Sequence, residues 1–178
     1  MSILSHQDIA MSCAEVDDSL VFPLIRPYRE EQLQPASYDV RLDRRIVLYS
    51  SEYNGLVGDL QESGWLLSPG EFALGVTVET LNIPNNLAAR FEGKSTLGRS
   101  GLMTHLTAGF IDPGFIGTLT VGMACVHPKG IMLYPGMRIG QLSFFELTQR
   151  VEVGYGEKGH YQNQGNAPVL PIAESYLT

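Results

Sequence analysis

A single all-β domain, built as a barrel or sandwich of short strands, is the fold class that this chain predicts. Three observations predict it. From Tyr38 onward, short runs rich in Val, Ile, Leu, Tyr and Phe recur, separated by Gly, Pro and Asn. The strand-to-helix alternation of a parallel α/β sheet is missing from the pattern. The 178 residues suit one domain with a real core, and neither an internal repeat nor a linker divides them.

The elements follow in order. Ser5-His6-Gln7-Asp8 precedes the apolar Ile9-Ala10-Met11 and reads as a helix start. Ser5 caps it and Asp8 falls at the third helical position, close to a capping box. This is expected to be the main helix, with a second short one near Arg29-Glu30-Glu31-Gln32-Leu33. Strands are expected at Tyr38–Leu42, Arg45–Tyr49, Phe72–Leu81, Ala88–Phe91, Leu119–Val126, Ile131–Leu133 and Arg138–Glu146. Turns punctuate them at Ser68-Pro69-Gly70, Ile83-Pro84-Asn85-Asn86, Asp112-Pro113-Gly114, His127-Pro128-Lys129-Gly130 and Tyr134-Pro135-Gly136. Residues 1–154 form the domain, and 155–178 a flexible closing tail rich in Gly and Asn but carrying Tyr155, Tyr161, Gln162 and Gln164. Composition leaves two readings of that tail open: a disordered terminus, or a lid that orders over a ligand.

Composition also excludes. A net charge of −7 argues against a general nucleic-acid binder, although local cations can dominate one pocket of an acidic protein. No apolar run is long enough to span a bilayer, and no basic-then-apolar start suggests a signal peptide. A cytoplasmic protein without a membrane partner is therefore expected. Cys13 and Cys125 have no paired spacing and read as reduced, partly buried thiols. His6, His105, His127 and His160 are scattered, and nothing matches the H-x-E…P-C-x-x-C signature of zinc deaminases, so no zinc site is expected. His105, among apolar neighbours, reads as a hydrogen-bonded core histidine.

The chemistry concentrates in residues 93–117. Lys94, Ser95, Thr96 and Arg99 form a cationic and hydroxyl cluster about a dozen residues before Asp112. Such a cluster suits a polyphosphate, and Gly93, Gly98 and Gly101 let backbone approach a ligand closely. A P-loop it is not, because the glycine required five residues before Gly93 is Ala88. Solvated surface charges are the bland alternative. Asp112 suits the activation of water, yet Asp-Pro-Gly is also good turn chemistry, and locally the turn alone accounts for it.

Taken together, several blocks resemble the dCTP deaminase/dUTPase superfamily over nearly the whole chain. They are Leu4-Ser5…Asp8-Ile9, Gln34–Leu42, Pro69–Gly75, Glu92–Arg99, Thr107–Phe115, Pro135–Leu142 and Tyr161–Gln164. The nearest pattern is that of the bifunctional, dUMP-forming dCTP deaminases. The resemblance implies a distorted, jelly-roll-like β-barrel of the dUTPase type with a short N-terminal helix. It further implies a homotrimer with active sites shared between subunits, and Mg2+ carried by the triphosphate. By matching positions, Lys94, Ser95, Thr96 and Arg99 would hold phosphates. Thr107, Ala108, Gly109, Phe110 and Ile111 would form the hairpin that reads the pyrimidine. Phe115 would lie against the deoxyribose and leave no room for a 2′-hydroxyl, and Gln141 would reach the phosphates from a neighbouring subunit. Tyr155, Tyr161 and Gln164 would belong to the closing tail, and Asp112 would orient the attacking water. His160 stands where the family usually has a lysine.

One departure decides the chemistry. Deaminases of this superfamily carry a proton-shuttling glutamate ten residues beyond the aspartate, and position 122 here is Gly. Deamination needs a proton acceptor for water and a donor for departing ammonia, and glycine is neither. Attack of water on the α-phosphorus has no such requirement. The leading expectation is therefore a pyrophosphatase that converts dUTP, or a close pyrimidine analogue, to dUMP and pyrophosphate. A dCTP deaminase with a substituted proton-transfer residue is the first alternative. A catalytically impaired nucleotide-binding or regulatory member is the second.

Overall fold

The computed structural model describes residues 2–14, 22–49, 52, 54–104, 106 and 108–172. Helix α1 (His6–Cys13) opens the chain with the expected capping box: Asp8 Oδ2 accepts the Ser5 backbone N–H at 3.1 Å, and Ser5 Oγ accepts that of Asp8. Its Ile9 and Cys13 are buried. β1 (Ile25–Arg26) follows, then a single 3-10 turn at Glu30–Gln32 where a second short helix was expected, then β2 (Leu33–Gln34).

Next come β3 (Ser37–Tyr49), β4 (Asn54–Asp59), β5 (Trp65–Leu67), β6 (Phe72–Asn82) and β7 (Leu87–Gly93). Helix α2 (Ser95–Arg99), β8 (Leu102–Thr104), β9 (Phe110–Ile111), β10 (Ile116–Cys125), β11 (Ile131–Leu133), β12 (Arg138–Glu146) and α3 (Tyr155–Lys158) complete the order. The two strands expected on either side of Asp43-Arg44 are one thirteen-residue strand. Its register jumps between Leu42 and Ile46, so it bends there and continues. Backbone bonding persists through the bend, with Leu60 N–H on Arg44 O at 2.7 Å, while Arg44 and Arg45 face solvent. β4 was not expected: Gly55 and Gly58 dilute its apolar pattern, and it is a largely exposed edge strand.

The main sheet runs β8-β10-β6-β3-β12-β7-β9, with β1 on β6, and β2 and β4 on β3. Every described pairing of these strands is antiparallel. The first half of β3 pairs with β12 and the second with β6 and β4, so this strand turns the corner and the sheet curls into a half-barrel. Strands β5 and β11 form a separate two-stranded ribbon. The mostly-β, barrel-type fold is thus the one expected. Inside the curl Tyr38, Leu42, Leu81, Val121, Leu142 and Phe144 are completely covered. Among the described residues no helix is long and apolar enough to cross a membrane.

Candidate functional site

The turn after β9 is pinned on three sides. Phe115 N–H closes it on Asp112 O at 3.2 Å, and Gly114 sits at φ +84° after Pro113, as a type II turn requires. Gly114 N–H donates to Ile83 O at 2.8 Å, and Tyr155 N–H donates to Pro113 O at 2.7 Å. Asp112 therefore has a fixed backbone and an exposed side chain. Its carboxylate takes no hydrogen bond or ion pair among the described residues.

Asp112 is where two clefts meet. The larger, about 760 Å³, is lined by Leu74, Leu106, Ala108, Phe110, Ile111, Asp112, Phe115, Leu119, Thr120, Tyr155, Tyr161, Gln164, Val169 and Pro171. That volume suits a drug-sized ligand, and the wall is mostly apolar with a few convergent polar groups. The smaller cleft, about 420 Å³, shares Asp112, Tyr155 and Tyr161 and adds Lys158 and His160. Eight residues expected at the site line the larger cleft together: Ala108, Phe110, Ile111, Asp112, Phe115, Tyr155, Tyr161 and Gln164. Gly109 holds the hairpin to β7, because its carbonyl accepts Phe91 N–H at 2.8 Å. A Cβ there would lie 2.7 Å from Phe91 O. Thr107 and His105 fall outside the described residues.

The chain after β12 lies along β10. Asn163 N–H donates to Ile116 O at 2.7 Å and Thr118 N–H to Gln164 O at 3.1 Å. Thr120 Oγ1 donates to Gln164 Oε1 at 2.7 Å and accepts Val169 N–H at 2.9 Å. Tyr155 meets Phe115 edge-on, with ring centroids 5.6 Å apart, and its hydroxyl accepts Tyr161 N–H at 3.1 Å. Burial pushes the Tyr155 phenol above its ordinary value; the Tyr161 N–H pulls it back and the Asp112 charge pushes it further up. At neutral pH it is an uncharged donor beside Asp112.

Gly122 lies on the cleft-facing side of β10 with Thr120 and Ala124, while Val121 and Met123 face the core. A Cβ at Gly122 would meet the Phe72 ring at 3.1 Å and Leu106 Cδ1 at 4.0 Å. Its cross-strand neighbour is Leu74. This wall is apolar, and Asp112 is the only acid lining the larger cleft among the described residues.

Lys94, Ser95, Thr96, Arg99 and Gln141 line neither cleft. Asp112 follows the end of β9, whose Ile111 faces Ala89, while Lys94 follows the opposite end of β7. The six residue steps from Ala88 to Lys94 span roughly 20 Å of strand. The cationic group gathers there instead. Lys94 Nζ lies 2.6 Å from Asp39 Oδ1, Arg138 Nη1 3.3 Å from Asp39 Oδ2, and Gln141 Oε1 accepts Ser37 Oγ at 3.1 Å. Asp39, Arg138, Lys158 and Thr120 were not singled out from sequence. Asp39, between core Tyr38 and Val40, is 1% exposed. Only membership in the Gln34–Leu42 and Pro135–Leu142 blocks marked Asp39 and Arg138.

With this geometry in hand, comparison with known proteins is specific. The family model for dCTP deaminase-like proteins matches residues 3–147. A dUMP-forming dCTP deaminase of Bifidobacterium animalis subsp. lactis is 44% identical over 178 residues, covering 91% of this chain and 90% of that protein. The enzyme of the same name from Bifidobacterium longum is 46% identical, covering 91% and 90%. That of Tropheryma whipplei is 43% identical, covering 98% and 94%. Among solved structures, the 2′-deoxycytidine 5′-triphosphate deaminase of Agrobacterium tumefaciens superposes with a TM-score of 0.66 at 21% identity. The match covers 80% of this chain and 47% of that one, and supports the fold. From the family match, the identity across nearly the whole length and the shared barrel, the chain belongs to the dCTP deaminase-like family.

Proposed function

We propose that the protein is a pyrimidine deoxynucleoside triphosphate pyrophosphatase, with dUTP as its substrate and dUMP and pyrophosphate as its products. The observation that carries this reading is the Asp112 carboxylate, without a hydrogen bond or ion pair among the described residues, at the junction of an apolar, nucleoside-sized cleft and a smaller cleft lined by Lys158 and His160. The nucleoside enters the larger cleft, where the hairpin at Ala108–Ile111 borders the base and Phe115 the sugar. The α-phosphate then lies beside Asp112, and the β- and γ-phosphates run toward Lys158 and His160. Asp112 orients a water and takes its proton as the water oxygen bonds to the α-phosphorus. The bond from that phosphorus to the bridging oxygen breaks, and pyrophosphate departs with the electron pair.

Two further features belong to this reading. The distance between Asp112 and the Lys94–Arg99 segment exceeds what one triphosphate bridges, so Ser95, Thr96, Arg99 and Gln141 act on the site of a neighbouring subunit in a homotrimer. Magnesium would come with the substrate, its ligands supplied by phosphate oxygens; among the described residues no three His, Cys, Asp or Glu side chains gather to hold it. Bound there, it would neutralise charge on the departing pyrophosphate.

The names of the curated relatives favour a second reading, deamination of dCTP followed by hydrolysis to dUMP. Against it stand the apolar neighbours of Gly122 (Phe72, Leu74 and Leu106), with Asp112 the only acid lining that cleft among the described residues. Incubation with dUTP and with dCTP, each with Mg2+, followed by product separation and an ammonia assay, discriminates. The first reading expects dUMP and pyrophosphate from dUTP and no ammonia from dCTP. Ammonia released in step with uridine nucleotides from dCTP would establish the second. Tight binding of dUTP without turnover would leave a nucleotide-binding protein.

A further inference from the structure

The cations at the far end of β7 are not equivalent. Arg138 opens β12 directly opposite Arg41 on β3, where like charges repel. Two buried carboxylates offset this. Glu79, completely covered, accepts Arg41 Nε at 2.7 Å and Arg41 N–H at 2.8 Å. Asp39 accepts Lys94 Nζ at 2.6 Å on one oxygen and Arg138 Nη1 at 3.3 Å on the other. Three cations thus face two carboxylates, and one positive charge is left over.

The surplus falls on Arg138. Lys94 is 25% exposed and its ammonium makes the short contact, so its charge is matched and largely covered. The Arg138 side chain is 41% exposed, makes the longer contact, and commits one of its five N–H donors. β12 pairs Gly140 with Gly93, which sets Arg138 and Gln141 beside Lys94 and the start of α2. A planar guanidinium with free donors is the group best shaped for a phosphate.

We propose that, of the two cations on Asp39, Arg138 contacts phosphate beside Arg99 of α2, whereas Lys94 is a positioning residue that Asp39 holds in place at the entrance to α2. The ligand is the phosphate chain of a nucleoside triphosphate. That identification rests on the pyrophosphatase reading; the division of labour between the two cations does not.

Titration calorimetry on the whole protein with inorganic tripolyphosphate, with dUTP and with deoxyuridine tests it. Arg138→Gln should weaken tripolyphosphate and dUTP at least about tenfold, the scale of a lost charge-assisted hydrogen bond. Deoxyuridine binding should stay the same, which also reports that the fold is intact. Arg138→Lys should recover only part, because an ammonium lacks the fork. Lys94→Gln should lower the melting temperature while weakening tripolyphosphate less than about threefold. A larger loss from Lys94→Gln than from Arg138→Gln, or no tripolyphosphate binding at all, overturns the proposal. Arg138-dependent binding of tripolyphosphate alone, with dUTP bound no tighter, assigns the patch to free polyphosphate and overturns the nucleotide as its ligand. Arg138-dependent tripolyphosphate and dUTP binding without dUTP hydrolysis would sink the pyrophosphatase reading and leave this proposal standing.

Discussion

Asp112 combines a turn held through Phe115, Ile83 and Tyr155 with a side chain that has no hydrogen-bond or ion-pair partner among the described residues. A residue kept only for its turn would lose little on conversion to its amide. Asp112→Asn keeps shape and removes charge, so turnover of dUTP should fall at least about a hundredfold with affinity retained. Steady-state kinetics beside equilibrium binding checks this, and near-normal turnover would return Asp112 to a turn residue. Two other single groups set the response to alkali. Burial pushes the Tyr38 phenol up to about 12 and the Cys13 thiol from 9.0 up to about 11. Above pH 9 the unfolded chain sheds protons that the folded chain keeps, so stability falls as pH rises. The loss should begin near pH 9 and grow toward pH 12, and Cys13→Ala should make it smaller. Urea midpoints at successive pH values read it directly; a midpoint unchanged from pH 8 to pH 11 contradicts it.

At the scale of elements, the site is assembled by close approach. The segment before β9, expected as a hairpin, reaches β7 through the backbone bond from Phe91 N–H to Gly109 O, at a place where a Cβ would lie 2.7 Å from Phe91 O. Gly109→Ala should push the hairpin off β7 and raise KM for dUTP roughly tenfold, because misplaced groups lose binding geometry. The melting temperature should barely move, since the buried core of β3, β6, β10 and β12 is elsewhere. A large fall in melting temperature with unchanged KM would make the glycine structural. The same logic bears on Gly122. Phe72 occupies the space beside it, so a glutamate there must displace an aromatic ring that also packs on Tyr49.

For the whole molecule, the decisive quantity is the separation along β7. Asp112 and Arg99 belong to opposite ends of that strand, so one subunit alone cannot complete the proposed site. Two inactive variants should therefore rescue each other. Asp112→Asn and Arg99→Ala, unfolded and refolded together, should regain activity in about a quarter of the sites, each built from one intact Asp112 and one intact Arg99. Activity of the mixture no higher than that of the separate variants rules out the shared site. So does a single-subunit mass by light scattering for active protein.

The sequence by itself determined the fold class and the family. Short β-branched runs, Pro-Gly turns and the Ser5–Asp8 cap are local signals, legible because strand alternation, turn geometry and capping each depend on a few adjacent residues. It also named eight of the residues that line the larger cleft, most of them in the contiguous blocks Thr107–Phe115 and Tyr161–Gln164. What it left undecided depended on residues distant along the chain. Local signals made β3 two strands, because Asp43-Arg44 interrupts the apolar pattern and only pairing with β12 on one side and β6 on the other carries it through. Nothing local pairs Asp39 with Lys94 and Arg138, 55 and 99 residues away, which hydrogen-bond its carboxylate. The tertiary structure alone set the Phe72 ring 3.1 Å and Leu106 Cδ1 4.0 Å from where a Cβ at Gly122 would lie, so the neighbourhood of that position is apolar. Packing between strands sets burial and charge pairing, and neither is a property of a residue's neighbours in sequence.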